Sequence, residues 1–485
     1  MSGTKLSSIE ESARPMLRVG LVLFLTLPYL IWLERLAGWD VPALSEIWPL
    51  AALSIKQSLF SSVLAMVAGF VLFLGFQGFS KRGTAELVLL LPNMIPPLFI
   101  GLSLLSWVTP FPYGLLAVVL AHALVNSGLV AVALDRVVQA RLRGMAEVAW
   151  LLGSSRWRFW REIGWPQLKG DVACIFLFVF SVCLTSFSFP LLLAGGKLVT
   201  LEMAIFNAIR VEGRWDKAVI MAALQSVILL TLAWSLPHSF WPTRRRITGL
   251  HFLAVKSMRI LLFLPALLVA LGWLKSLRKL PEVSAEIVAA CLSSLALGLA
   301  AGVLTLALLI AVAYVSPHDR FKRFLNGYLA PSPTITGFAL LLVPGGDFIK
   351  LVVALTLISL PILYRWIVHS SLQSLEPQIV MARTLGASWR MIFTDVVWPQ
   401  TGESLLRAAG VASVWASADF ALTGIVMGNL STLPLVIEDF IGRYQIEVAE
   451  TLLLPLVVIG LTLYGFFVSA WGWAFFTARH RKSIL

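Results

Sequence analysis

Three polar residues stand where the sequence is otherwise apolar, and these are the places where chemistry could occur inside the long hydrophobic runs. Asp419 interrupts the run 405–427, and His122 and Asn126 lie four residues apart in the run 112–134, a spacing that puts them on one helical face. An ionisable group at membrane depth marks a candidate pathway for a solute or an ion. The same residues could instead serve packing, with Asp419 accepting hydrogen bonds from neighbouring backbone or from Ser413 and Ser417. The sequence leaves both readings open. Bond-making chemistry has less to work with, because His, Asp, Ser and Cys do not cluster at metal-ligand or nucleophile spacings. Cys174, Cys183 and Cys291 all lie in apolar stretches and imply neither a disulfide framework nor a metal site. Gly195-Gly196-Lys197 is followed by Leu198, so the Gly-x4-Gly-Lys-Ser/Thr spacing that cradles phosphates and supplies a hydroxyl to magnesium is missing. No catalytic residue, metal or resident cofactor is expected, and the chain is not read as an enzyme.

The elements that position these residues follow from composition. Of 485 residues, 59% are hydrophobic and 13% charged, and the mean hydropathy is +0.87. A soluble globular chain carries about twice that charged fraction, which excludes an ordinary soluble enzyme and leaves an all-α polytopic membrane protein. A bilayer core needs about 20 apolar residues per helix. Runs near 17–33, 59–79, 85–108, 112–134, 172–194, 217–237, 259–274, 285–315, 324–343, 348–368, 405–427 and 451–475 meet that need, giving about 12 spans. With the N-terminus placed in the cytoplasm, about 70% of the Lys and Arg fall in cytoplasmic segments. The net charge of +13 thus needs no nucleic-acid partner, and both termini are expected inside. The polar stretch Met1–Arg14 runs into the first apolar segment without a small-residue cleavage site, so that segment is expected to be retained as a helix.

Self-comparison adds an internal repeat. Leu152-Gly153-x-Ser155, ending in Trp165-Pro166-Gln167, recurs as Leu385-Gly386-x-Ser388, ending in Trp398-Pro399-Gln400. The pairing has one offset throughout, and it also matches Phe187 with Phe420 and Leu59 with Leu292. Six spans therefore repeat as six spans: a first half at 1–240, a basic cytoplasmic linker at 241–258 around Arg244-Arg245-Arg246, and a second half at 259–485. A duplicated unit of this kind reads as a fused pseudo-dimer with a pathway between its halves. The small pair Gly298 and Gly302 predicts close helix packing.

Both repeated segments fall in long cytoplasmic loops. Each is read as a short helix reversed at glycine, then a second basic and aromatic helix stopped by proline. A loop that merely rests on lipid headgroups would not need a fixed spacing from glycine to proline. The first copy, Glu147-x-Ala149-x3-Gly153-x9-Ile163-x-x-Pro166, resembles the EAA motif of permease subunits of binding-protein-dependent ABC importers. Ala121-His122 with Asn126, and Asp419-Phe420, also resemble features of that family. With two six-span halves in one chain, the sequence is most similar to the fused permeases for thiamine and for iron(III). Phe111-Pro112-Tyr113-Gly114 and Thr200 to Ile205 favour the thiamine type.

The resemblance implies a type I importer fold, with the repeated loops as coupling elements: Glu147, Ala149, Gly153, Ile163 and Pro166 in one, Ala382, Gly386, Val396 and Pro399 in the other. It implies two copies of a cytoplasmic ABC ATPase holding the ATP and magnesium, a periplasmic solute-binding protein, and the bacterial inner membrane. The second copy departs from the motif, since Val380-Met381-Ala382 replaces Glu-Ala-Ala and Val396 replaces the isoleucine. Arg383 and Arg390 are candidates for its contacts instead. A carboxylate at Asp419 would suit a cationic solute such as thiamine. The competing class is a proton- or sodium-coupled secondary transporter of 6+6 helices, for which Asp419 is the one good ion-binding candidate.

Overall fold

A computed structural model of the chain describes residues 2–36, 44–77, 82–105, 110–235, 256–276, 284–315, 325, 332–426, 431–443 and 445–482. The basic linker 241–258 lies outside them save for its last three residues, as do Lys81, Arg320, Lys322 and Arg323. Among the described residues there is no strand. The protein is an all-α polytopic membrane protein.

Among the described residues, eight helices are long and apolar enough to cross a bilayer: Arg14–Ile31, Ser45–Phe76, Leu115–Gln139, Trp157–Leu184, Trp215–Leu232, Ala285–Val315, Asp347–Val368 and Glu447–Ala470. A ninth is obtained if Thr84–Met94 and Pro97–Leu105, which meet at 87°, form one broken span. The expected runs 259–274 and 405–427 correspond to shorter or interrupted helices, Met258–Leu274 and Trp398–Ser417 followed by Ala421–Val426, while of the run 324–343 the helix Pro333–Leu341 is described and 324 and 326–331 lie outside the described residues. The run 172–194 also divides, its main helix ending at Leu184 before a short helix at Ser188–Leu193. Hydropathy cannot distinguish these cases, because broken backbone at membrane depth is tolerated wherever protein surrounds it. The bend at 95–96 has a local cause, since Pro96 and Pro97 disfavour helical geometry in the residues before them.

Packing divides the chain into two compact units, residues 40–280 and residues 1–39 with 281–485. In chain order the helices of the first stretch are α1 (Ser2–Leu36), α2 (Leu44–Phe76), α3 (Arg82–Met94), α4 (Pro97–Leu105), α5 (Leu115–Leu151), α6 (Arg156–Phe159), α7 (Trp165–Leu184), α8 (Ser188–Leu193), α9 (Leu201–Arg210), α10 (Trp215–Ser235), α11 (Leu264–Ser276) and α12 (Ala285–Val315). The units do not coincide with the sequence halves 1–240 and 259–485. Helix α1, which opens the first repeat, packs on α12 and on Pro333–Leu341. Helix α11 and the 3₁₀ turn Lys256–Phe263, which open the second repeat, pack on α2, α3 and α4. The opening helices are exchanged. The close approach is specific, since a Cβ on Gly75 of α2 would lie 2.5 Å from the Met258 carbonyl oxygen.

Helix α2 shows how lipid inverts the usual pattern of burial. Ser54, Gln57, Ser58, Ser61 and Ser62 are buried, whereas Leu59, Phe60, Val63, Val67 and Phe70 face outward. Apolar tails make an acceptable solvent for Leu and Phe, so small hydroxylated residues line the helix interfaces. Their hydroxyls are satisfied locally, with Ser58 donating to the Ser54 carbonyl at 2.8 Å and Ser62 to the Ser58 carbonyl at 2.7 Å. Each unit also anchors a short helix through a serine of its long one. The Leu201 amide donates to Ser54 Oγ at 2.6 Å in one unit, and the Leu433 amide to Ser294 Oγ at 2.9 Å in the other. In α12, Gly298 and Gly302 face Ser413, Ser417 and the Leu463 and Phe467 side chains, the close packing expected of that pair.

Candidate functional site: two repeated loops

The geometry of the loops explains their spacing. Helix α5 runs unbroken to Leu151, so Glu147 and Ala149 occupy its last turns, and Gly153 follows at φ +75°. The Ser154 amide donates to the Ala149 carbonyl at 2.9 Å and the Gly153 amide to the Trp150 carbonyl at 3.0 Å. These two bonds define a Schellman ending with glycine in the left-handed position. The second loop repeats it: Ala387 donates to Ala382 at 3.0 Å, Gly386 donates to Arg383 at 3.0 Å, and Gly386 has φ +81°. Ala-x3-Gly is therefore the distance from the carbonyl that receives the outer bond to the residue that reverses the chain. A side chain at either glycine would cost about 1–2 kcal/mol in that conformation.

A serine starts the next helix in both copies. Ser155 Oγ accepts from the Arg158 amide at 3.3 Å, and Ser388 Oγ from the Met391 amide at 3.4 Å. Here the structure corrects the expectation that proline stops this helix. The chain stays helical through Pro166 and Pro399, passing first through π turns at Trp160–Gly164 and Ile392–Val397. The Trp165 amide reaches the Trp160 carbonyl and the Trp398 amide the Phe393 carbonyl, each five residues back. A proline ring clashes with the carbonyl four residues earlier, and the widened turn removes that clash. Ile163 and Val396 sit half-buried in these turns.

Both loops present apolar side chains outward. Leu152 and its repeat partner Leu385 are each 81% exposed. Leu151 and Trp157 extend the first patch, and Val380, Met381 and Met391 the second. Glu376, Pro377, Val380, Met381, Thr384 and Leu385 line an open groove on the second loop helix, Glu376–Thr384. Glu147 is exposed at the position where the second copy has exposed Val380. Arg383 and Arg390 are likewise exposed. The leucines were visible in the repeat itself, where they precede each glycine, but no local pattern shows that they point outward.

The pathway candidates belong to different units. His122 Nδ1 lies 3.1 Å from Gln57 Nε2, its ring meets Phe189 edge-on at 5.1 Å, and its carbonyl accepts from Asn126 Nδ2 at 2.9 Å. Asn126 is also approached by Asn93 at 3.5 Å. Both residues are buried among helices of unit 40–280. Asp419 is not at the middle of a span; it lies in the break between Trp398–Ser417 and Ala421–Val426. Its Oδ2 accepts from the Leu422 amide at 2.8 Å and the Thr423 amide at 3.1 Å, and Thr423 Oγ1 donates back to its carbonyl at 2.6 Å. This is a helix N-cap. Its partners are backbone amides rather than Ser413 or Ser417, whose hydroxyls donate to carbonyls of their own helix.

Many apolar helices and small-residue interfaces define a multi-pass membrane protein. The comparisons agree along nearly the whole chain. It is 25% identical to the thiamine transport system permease protein ThiP of Salmonella typhimurium, over 93% of this chain and 94% of that protein. It is also 25% identical to ThiP of Escherichia coli, over 87% and 88%. The Haemophilus influenzae ThiP is 34% identical over 25% of this chain and 22% of that protein. No family model matches the chain, and no solved structure does.

Proposed function

We propose that the protein is the membrane-spanning permease of an ABC importer whose solute is thiamine. The observation that carries this reading is the matched pair of Schellman-ended loops with outward leucines, in a chain similar to a thiamine permease over 93% of its length. Thiamine is favoured over iron(III) because each relative named above is a thiamine permease. The permease makes no bonds. A periplasmic binding protein delivers the solute, and two copies of a cytoplasmic ATPase, which hold ATP and magnesium, grip the two loops. Closure of the ATPases moves the loops, and the rigid helices joined to them carry the motion into an outward opening. The setting is the bacterial inner membrane, with both termini in the cytoplasm.

The ion-coupled reading needs an intramembrane acid that binds and releases its ion, and the Asp419 carboxylate is engaged as a cap. The test is uptake of labelled thiamine by proteoliposomes containing the permease, its binding protein and its ATPase. Uptake that requires ATP and disappears with a hydrolysis-dead ATPase supports the proposal. Uptake by the permease alone under a proton or sodium gradient overturns it.

A further inference from the structure

The second loop is held by a residue far away in sequence. Trp389 follows the capping Ser388 and is buried, while its indole N–H donates to the Tyr314 carbonyl at the end of α12 at 2.9 Å. The Tyr314 ring meets Trp389 at 6.2 Å and Phe393 at 5.3 Å, both edge-on. Across the indole face lies the guanidinium of Arg14, from α1, with its central carbon 4.3 Å from the ring centroid. Arg14 Nη2 also points at the Val315 carbonyl, 3.4 Å away. One cation thus meets the face of a loop residue and the carbonyl end of α12, where a positive charge is favoured by the helix dipole. The repeat position matching Trp389 is Arg156, and that matching Tyr314 is Lys81, so neither of the two aromatic residues recurs at its repeat position in the first half. The clamped loop is also the one that lacks the acidic residue of the motif.

We propose that Arg14 is a positioning residue for the second loop, fixing it to α1 and α12 so that force applied at Leu385 is carried into both helices. The coupling role rests on the permease reading given above; the clamp itself does not. Helix α1 gains a function beyond spanning the bilayer, and the loop without Glu gains stiffness from inside the chain.

The test compares Arg14→Gln, Arg14→Lys, Trp389→Leu and Trp389→Phe in the full chain in nanodiscs. Hydrogen exchange of amides 389–393 is followed in the permease alone, and ATP hydrolysed per solute in the complex with its ATPase. Arg14→Gln and Trp389→Leu should each raise exchange in that segment about tenfold, the loss expected of one desolvated cation–π contact. They should also raise the ATP spent per solute severalfold. Arg14→Lys, which keeps the charge, and Trp389→Phe, which keeps a ring, should fall between these and the parent. Unchanged exchange in Arg14→Gln overturns the clamp. Raised exchange with an unchanged ATP-to-solute ratio overturns its role in coupling. A parent complex without ATP-driven transport removes that role along with the permease reading, and the exchange data then still decide whether the clamp exists.

Discussion

Leu152 and Leu385 leave most of an apolar side chain exposed at the same point of two loops. Burying such a side chain against a partner is worth about 1.5–3 kcal/mol. Leu385→Asp is expected to weaken retention of the ATPase by at least tenfold, and Leu152→Asp likewise, without loss of the permease from the membrane. Co-purification at graded ATPase concentrations measures both. Asp419 belongs to the same scale with the opposite lesson. If its work is capping, Asp419→Asn, which keeps an acceptor oxygen, should retain uptake and melting temperature. Asp419→Leu leaves two buried amides unmet and should cost roughly 1–2 kcal/mol. Loss of uptake in a well-folded Asp419→Asn protein would instead assign it a pathway role. The sequence offered Asp419 as pathway or cap, and only the position of the helix break decides that its carboxylate turns back to Leu422 and Thr423.

The helical elements were legible where a pattern has a single physical cause. Gly153 and Gly386 had to reverse the chain, and they do so through identical bonds. Pro166 and Pro399 were misread as stops because proline has two outcomes: it ends a helix, or the turn before it widens. Choosing between them requires knowing that Phe159, Gly164, Ile392 and Val397 are buried and hold the helix in line. The break at 418–420 had one signal, Asp419, a residue type that caps helices, but the apolar runs on both sides of it read as one span. Gly298 and Gly302 give an element-scale prediction. Gly302→Leu would drive a side chain into Phe467 and Ser413, and overpacking of this kind costs about 1–3 kcal/mol or more. The variant should melt several degrees lower in detergent. Val303 is the next residue and faces outward, so Val303→Leu adds bulk there without a clash and should leave the melting temperature in place. Equal melting temperatures for the two variants would mean that α12 does not press on its neighbours at Gly302.

At the scale of the molecule, the repeat was legible and the exchange of opening helices was not. The order of the hydropathic spans identifies α1 and α11 as the opening helices of the two repeats, but it is silent on which long helix each one meets. The exchange makes a prediction about the linker. A protease site placed within 241–255 and cut after folding should leave the two fragments together on size exclusion in mild detergent, because α1 of one fragment packs on α12 of the other. Removing 1–36 in addition should weaken that association. Fragments that separate as readily with α1 as without it would argue against the exchange.

The same arrangement sets a timetable for making the protein. Helix α1 leaves the ribosome well before its partner α12, which begins roughly 250 residues later. At about 5–20 residues per second, the nascent chain must keep that helix in lipid for about ten seconds to a minute before α12 exists. Pro15 and Pro28 lie within it, so during this interval a proline-bearing helix carrying Arg14 and Arg18 waits in the bilayer without α12, and a cell short of membrane insertase should lose this protein by degradation before the two helices meet.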